Sequence, residues 1–269
     1  MAPDVAHLLR FLRVPAFRYR DLHSRVASAS RARRATARGG LTILALVSLV
    51  QGVGRTTLAA LLAARLARRG VRAVALDLDP LGQLADQFRG RGRLDLPPDE
   101  QSVVEWLEPC CGYVSFGHDP ASVIDAGNCD VLLLDTPAGT SIQVEQVLVE
   151  ADEVLIVARP DRASLEAVKA TEELLTRPRL RSWRRSRARY LVNRFDGRRA
   201  RDRDALALLR HSLGARLLPR PVQEDEAVRA ALVSGRRLEE LAPESQVIAD
   251  LDAIAEELFS APVRFGKAR

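Results

Sequence analysis

The segment from Leu41 to Thr57, LTILALVSLVQGVGRTT, constrains the fold of this chain more than any other. Leu41 to Val50 is an apolar run of strand character, Gly52 and Gly54 permit a sharp turn, and Leu58, Leu61, Leu62 and Leu66 then recur at helical spacing. A strand that turns through glycines straight into a helix gathers backbone N–H groups at the positive end of the helix dipole. An anion site therefore belongs at Gly52-Val53-Gly54, and phosphate is its natural occupant.

The surrounding pattern repeats that unit. Short apolar runs predict strands at 41–49, 72–78, 131–135, 153–158, 188–193 and 215–218. Between them, helices are expected near 56–69, 100–108, 142–150, 162–175, 201–212, 224–234 and 244–259. Fully apolar runs such as Val131 to Leu134 suit parallel strands covered on both faces, and parallel strands require helical crossovers. The expectation is a doubly wound α/β fold with a mainly parallel sheet, forming one domain over 41–262 with no Pro/Gly-rich linker dividing it. Residues 1–40 read as an N-terminal extension, partly disordered: a short helical stripe of Val5, Leu8, Leu9 and Leu12, then Phe17, Tyr19 and Leu22, then a basic tether with Arg25, Arg31, Arg33, Arg34 and Arg38. It reads equally as a docking segment and as a tail whose apolar residues only brush the domain. Residues 263–269 read as a tail.

With 269 residues and 47% hydrophobic content, the chain can bury a full core without disulfides or structural metal. Its 41 basic residues include only two lysines, Lys169 and Lys267, so 39 are arginine and none of the lysines can serve a phosphate loop. The general loop pattern G-x-x-x-x-G-K-[ST] is accordingly altered. Arg55 stands for the lysine, while Thr56 keeps the hydroxyl that would hold magnesium. No run reaches the roughly 18 apolar residues of a spanning helix, and the N-terminus lacks a secretory pattern, so the cytoplasm is expected. Cys110, Cys111 and Cys129 are odd in number and fit a reduced compartment. Cys110 and Cys111 with His118 lack a second ligand pair for zinc. Glu100, Glu105 and Glu108 read as one solvated helix face, not as the acid and base of a glycan-cleaving site.

From Val50 to Thr57 the loop resembles that of the MinD/ParA class of P-loop ATPases, K-G-G-x-G-K-T-[TS]. Gln51, Gly52, Val53, Gly54, Thr56 and Thr57 fall on its frame, and Val50 and Arg55 replace both lysines. Four further segments resemble the class in order. Leu76 to Gln83 is similar to its D-x-D-P-Q-G-N switch, which implies that Asp79 positions the attacking water and lies by the metal. Leu132 to Gly139 is similar to its D-T-P-P-G segment, placing Asp135 near magnesium. Asn193-Arg194 matches the strand-end pair that contacts adenine, and Leu218-Pro219, followed by Glu224 to Val228, is similar to the late base-covering loop and helix. The resemblance thus implies a P-loop NTPase fold. It assigns Gln51, Gly52, Val53, Gly54, Arg55, Thr56, Thr57, Asn193, Arg194 and Pro219 to ATP or ADP, Thr56, Asp79 and Asp135 to Mg2+, and Asp79 to catalysis. Singly, Asp77 also reads as a strand-end carboxylate accepting backbone donors, and Asn193 as a turn residue.

An arginine presents a wide planar fork where lysine is compact, so the exchange at residue 55 is not conservative. A nucleotide-binding switch is expected more than a fast ATPase. Within the class, the loop is similar to that of the cellulose-biosynthesis accessory group BcsQ (YhjQ), and Asp4 to Arg10 with Tyr19 to Leu22 is similar to the small BcsR-type partner. This resemblance implies a role in assembly or localisation of the inner-membrane cellulose synthase complex, with its components or other accessory subunits as partners. It also implies a nucleotide-dependent homodimer, and membrane association only through a partner. The alternative is a DNA or plasmid partitioning ATPase of ParA type, for which the arginines at 177, 179, 181, 184, 185, 187 and 189 would supply a phosphate-backbone footprint, although they read more readily as a solvated linker.

Overall fold

The computed structural model describes residues 41–88, 105–108, 111–114, 129–141, 151–176 and 187–259, together with Val144, Glu145, Val147 and Leu148. The N-terminal extension, the tail from 263, Cys110, His118, Glu100 and the arginines from 177 to 185 lie outside these residues.

Seven strands form one sheet: β1 (Thr42–Val47), β2 (Ala73–Asp77), β3 (Glu105–Glu108), β4 (Cys111–Val114), β5 (Val131–Asp135), β6 (Glu153–Ala158) and β7 (Arg187–Val192). Their spatial order is β3-β4-β2-β5-β1-β6-β7. All neighbours pair in parallel except β3, which runs antiparallel to β4 at the edge. Among the described residues, the helices with fixed bounds that join or cover them are α1 (Arg55–Arg68), α2 (Arg162–Leu175), α3 (Ala200–Leu213), α4 (Glu226–Ser234), α5 (Leu238–Leu241) and α6 (Gln246–Phe259).

Strand side chains alternate between faces, and here each face has its own core. Leu44, Leu46, Ala75, Leu133, Leu155 and Leu191 pack with α1 and α6 through Leu58, Leu62, Leu66, Leu251 and Ile254. Ile43, Ala45, Leu132, Leu134, Ile156 and Tyr190 pack on the opposite side with Val168 and Leu174 of α2, Leu206 and Leu209 of α3, and the helical residues Val144, Val147 and Leu148. Burial on both faces is why these strands are apolar throughout, and it makes the sheet doubly wound as the sequence predicts.

Two expectations are corrected. Residues 105–108 of the expected helix at 100–108 form the strand β3, with Glu105 opposite Tyr113 and Glu108 opposite Cys111. Pro109 follows directly, and the residue before a proline is pushed out of the helical region into extended backbone. The expected strand at 215–218 is instead a 3-10 turn, Gly214–Arg216. Only Leu217 makes a single bridge, beside Tyr190. Gly214, at φ 55°, and Pro219 bound too short a segment for a ladder.

Candidate functional site

The C-terminal ends of β1, β2, β5 and β7 converge on the start of α1, at the crevice where an open α/β sheet receives its ligands. In register, Asp135 at the end of β5 lies beside Leu46 on one side and Asp77 on the other. Gly54 is the N-cap of α1, with φ 91° and no side-chain cap, and the first turn holds no acidic residue. The leading N–H groups of α1 are therefore left open to an external anion. Ser48 fixes the loop's entry, because its hydroxyl accepts from the Val50 N–H at 3.2 Å and its carbonyl from Gly139 N–H at 3.1 Å. Gln51 and Gly52 are exposed, Val53 is buried, and Val50 packs half-buried on the core.

Arg55 does not reach outward. It is buried, and its guanidinium donates to the carbonyl of Thr136 and lies 3.5 Å from the Thr136 hydroxyl. That hydroxyl in turn donates to Leu46 O at 2.8 Å. Burial lowers the pKa of Arg55, while Asp135 and Asp79 hold it up, so the residue remains a cation. Asp135 is the reciprocal case. Both of its oxygens are buried and have no hydrogen-bond partner among the described residues. Burial pushes its pKa up to about 7, with Asp77 and Asp79 adding to the rise and the neighbouring Thr56 hydroxyl and Arg55 opposing it.

The other two aspartates organise the β2 exit. Asp77 accepts from the N–H groups of Asp79 and Leu84, each at 2.9 Å, so it is a strand-end carboxylate satisfied by backbone donors, and burial raises its pKa. Asp79 is half-buried and accepts from Leu81 N–H at 3.0 Å, which leaves it folded on its own turn beside the site. Thr57 donates to Gln87 Oε1 at 3.0 Å. On the far side, Asn193 donates from Nδ2 to Val53 O at 2.7 Å and is buried. Arg194 is exposed with φ 56°, and Pro219 is exposed with its carbonyl 3.3 Å from Arg210.

The loop, Thr56, Asp79, Asp135 and Asn193 are thus brought together, whereas Thr57, Arg194 and Pro219 stand at the periphery. Thr136, Gln87 and the carbonyl of Ser48 were not singled out by sequence. Thr136 alone left a signal, as the residue after the strand-end aspartate. The donors present fit Mg2+: a carboxylate without a partner and a hydroxyl are hard oxygen ligands, and magnesium takes few protein ligands beside phosphate oxygens. Among the described residues, no group of three or more His, Cys, Asp or Glu is arranged to hold a metal ion.

Residues 44–238 match the CobQ/CobB/MinD/ParA nucleotide binding domain. The chain belongs to this family. Among solved structures, the ATP complex of a McdA variant from Cyanothece superposes with a TM-score of 0.65 at 18% identity, covering 84% of this chain and 98% of that one. The septum site-determining protein MinD of Pyrococcus horikoshii, with Mg-ADP, gives 0.60 at 21% identity over 81% and 96%. Cobyrinic acid a,c-diamide synthase of Mycobacterium smegmatis, with ADP and magnesium, gives 0.62 at 17% over 82% and 94%. These relatives share the fold. A Rhizobium rhizogenes protein named replication protein A is 26% identical over 257 aligned positions, 76% of this chain, and the match spans 63% of that protein's length. No helix among the described residues is long and apolar enough to cross a membrane.

Proposed function

We propose that this chain is a nucleotide-operated switch that takes ATP or ADP with Mg2+ and serves bacterial cellulose biosynthesis, acting on assembly or localisation of the cellulose synthase complex. The observation that carries the nucleotide reading is the unpartnered, buried Asp135 beside Thr56 at the uncapped start of α1. A bound Mg2+ would supply positive charge between the phosphates and polarise them. Thr56 and Asp135 would hold it, and the backbone N–H groups from Gly52 to Thr56 would hold the phosphates. Asp79, at the β2 exit, would orient a water, and Arg194 and Pro219 would flank the base. Arg55 is bound to Thr136 and gives the loop no mobile cation, which supports slow turnover and a switch that works by population. Phosphate release no faster in wild type than in Asp79→Ala, with Mg-ATP binding intact by calorimetry, is the expected result; a large difference would overturn the switch.

The cellulose branch rests on the lysine-free loop of Val50 to Thr57 and the motif of Asp4 to Leu22. Its partners are components of the synthase or accessory subunits, joined by a homodimer in the nucleotide-bound state, at the inner face of the inner membrane through those partners. The full chain should co-purify with the synthase catalytic subunit from solubilised inner membrane, and failure to do so would remove this branch. The relative named replication protein A favours a second reading, DNA partitioning. Of its proposed arginine footprint, Arg189 is engaged by Glu257 at 2.6 Å. Salt-dependent retardation of DNA, lost on neutralising residues 177–189, would favour that reading.

A further inference from the structure

We propose that Thr136 is a positioning residue that orients the Arg55 guanidinium for the phosphates of the nucleotide; this rests on the nucleotide reading above. The guanidinium is held by neutral groups. Its Nη1 donates to Thr136 O and lies 3.5 Å from Thr136 Oγ1, and among the described residues Arg55 makes no other side-chain hydrogen bond. Asp135 and Asp79 act on it only through space, and neither oxygen of Asp135 accepts from it. An arginine anchored on a carboxylate has its charge neutralised there. Anchored on a carbonyl and a hydroxyl it keeps that charge, and its Nε–H and Nη2 groups remain for a planar, two-pronged contact with phosphate oxygens.

The anchor is itself fixed. Thr136 is buried, and its hydroxyl donates to Leu46 O at 2.8 Å, near the end of β1. With that proton given to Leu46, the hydroxyl oxygen meets the guanidinium as an acceptor. Three residues on, Gly139 N–H donates to Ser48 O at 3.1 Å, so the segment leaving β5 is tied to the β1 side at both ends. Arg55 opens α1 directly after the Gly54 N-cap, which sets its charge beside the uncapped N–H groups of the helix. A compact ammonium can be approached from many directions, whereas a planar fork binds well only in its own plane, and Thr136 sets that plane. Loss of the hydroxyl leaves the plane free to turn, and phosphate affinity falls with it.

The test uses the full chain, the near-isosteric Thr136→Val, which lacks the hydroxyl, and Thr136→Ser, which keeps it. By calorimetry, Mg-ATP should bind Thr136→Val about tenfold more weakly, the order expected for a lost hydrogen bond to a charged group, and Thr136→Ser should retain wild-type affinity. A double-mutant cycle separates this from a general loss of packing. In Arg55→Met, which keeps the length of the side chain and removes its donors, Thr136→Val should change the Kd by less than about twofold. Thr136→Ala runs the same cycle if the valine variant folds poorly. An equal loss in both backgrounds, a serine variant as weak as valine, or wild-type affinity without the hydroxyl would each overturn the proposal. Wild type that binds no Mg-ATP would remove the nucleotide reading and this proposal with it, whereas wild-type binding that is indifferent to residue 136 removes the proposal alone.

Discussion

Asp135 concentrates the cost of this site in one side chain. Folding moves its pKa from the ordinary 3.8 to about 7 because burial penalises the anion by more than the neighbouring Thr56 hydroxyl and Arg55 offset. The sign follows from proton uptake. Between these values the folded protein binds more protons than the unfolded chain, so the group's destabilising effect is absent below pH 4, grows as pH rises, and is complete above pH 7. A shift of that size corresponds to at most about 4 kcal/mol. Asp135→Asn should therefore stabilise the ligand-free protein by about 2–4 kcal/mol at pH 8 and hardly at all at pH 4, measured by urea unfolding. An equal effect at both pH values would mean that the carboxylate is not held in the buried, unpaired state. Because a metal ligand must be ionised, Mg-nucleotide affinity should also rise between pH 6 and 8 in wild type and lose that dependence in the variant.

At the scale of elements, α1 and α2 start in opposite ways. Asp161 caps α2 by accepting from Ser164 N–H at 2.9 Å, and the Ser164 hydroxyl accepts from Arg159 N–H at 3.0 Å. Asp161→Ala should cost about 1 kcal/mol in denaturant unfolding without changing nucleotide affinity. The uncapped start of α1, by contrast, is where a ligand replaces a cap. Such differences decide what was legible in the sequence. The buried parallel strands, α1, α2 and the loop were readable because strand apolarity, helical spacing and paired glycines are local signals. So was Asp77, whose strand-end position predicts its bonds to backbone. The edge strand β3 was not, since Trp106 and Leu107 between two glutamates match a helix face until β4 supplies the pairing. Nor was the inward turn of Arg55, or the bond from Asn193 to Val53, because each depends on a strand more than 80 residues distant in sequence.

The whole molecule joins these ends through two cores that share one sheet, so the site is carried by strands fixed on both faces. Holding an unpaired aspartate and an uncapped helix start together in one crevice lowers the stability of the empty protein, and a ligand that satisfies both restores it. Binding to the native state alone stabilises by about 2.7 kcal/mol when the ligand is a hundredfold above its Kd. In a chain of 269 residues that corresponds to a rise in Tm of about 5–10 °C. Mg-ATP should give such a rise at pH 8, ATP with EDTA a smaller one, and Asp135→Asn should close the gap between the two by removing the metal-dependent part. Light scattering on the same samples should show the mass doubling with Mg-ATP and not with EDTA. A Tm that rises with the mass fixed would keep the nucleotide site and discard the dimer. A Tm indifferent to Mg2+ would mean that Arg55, bound between the loop and β5, leaves Asp135 no metal to hold.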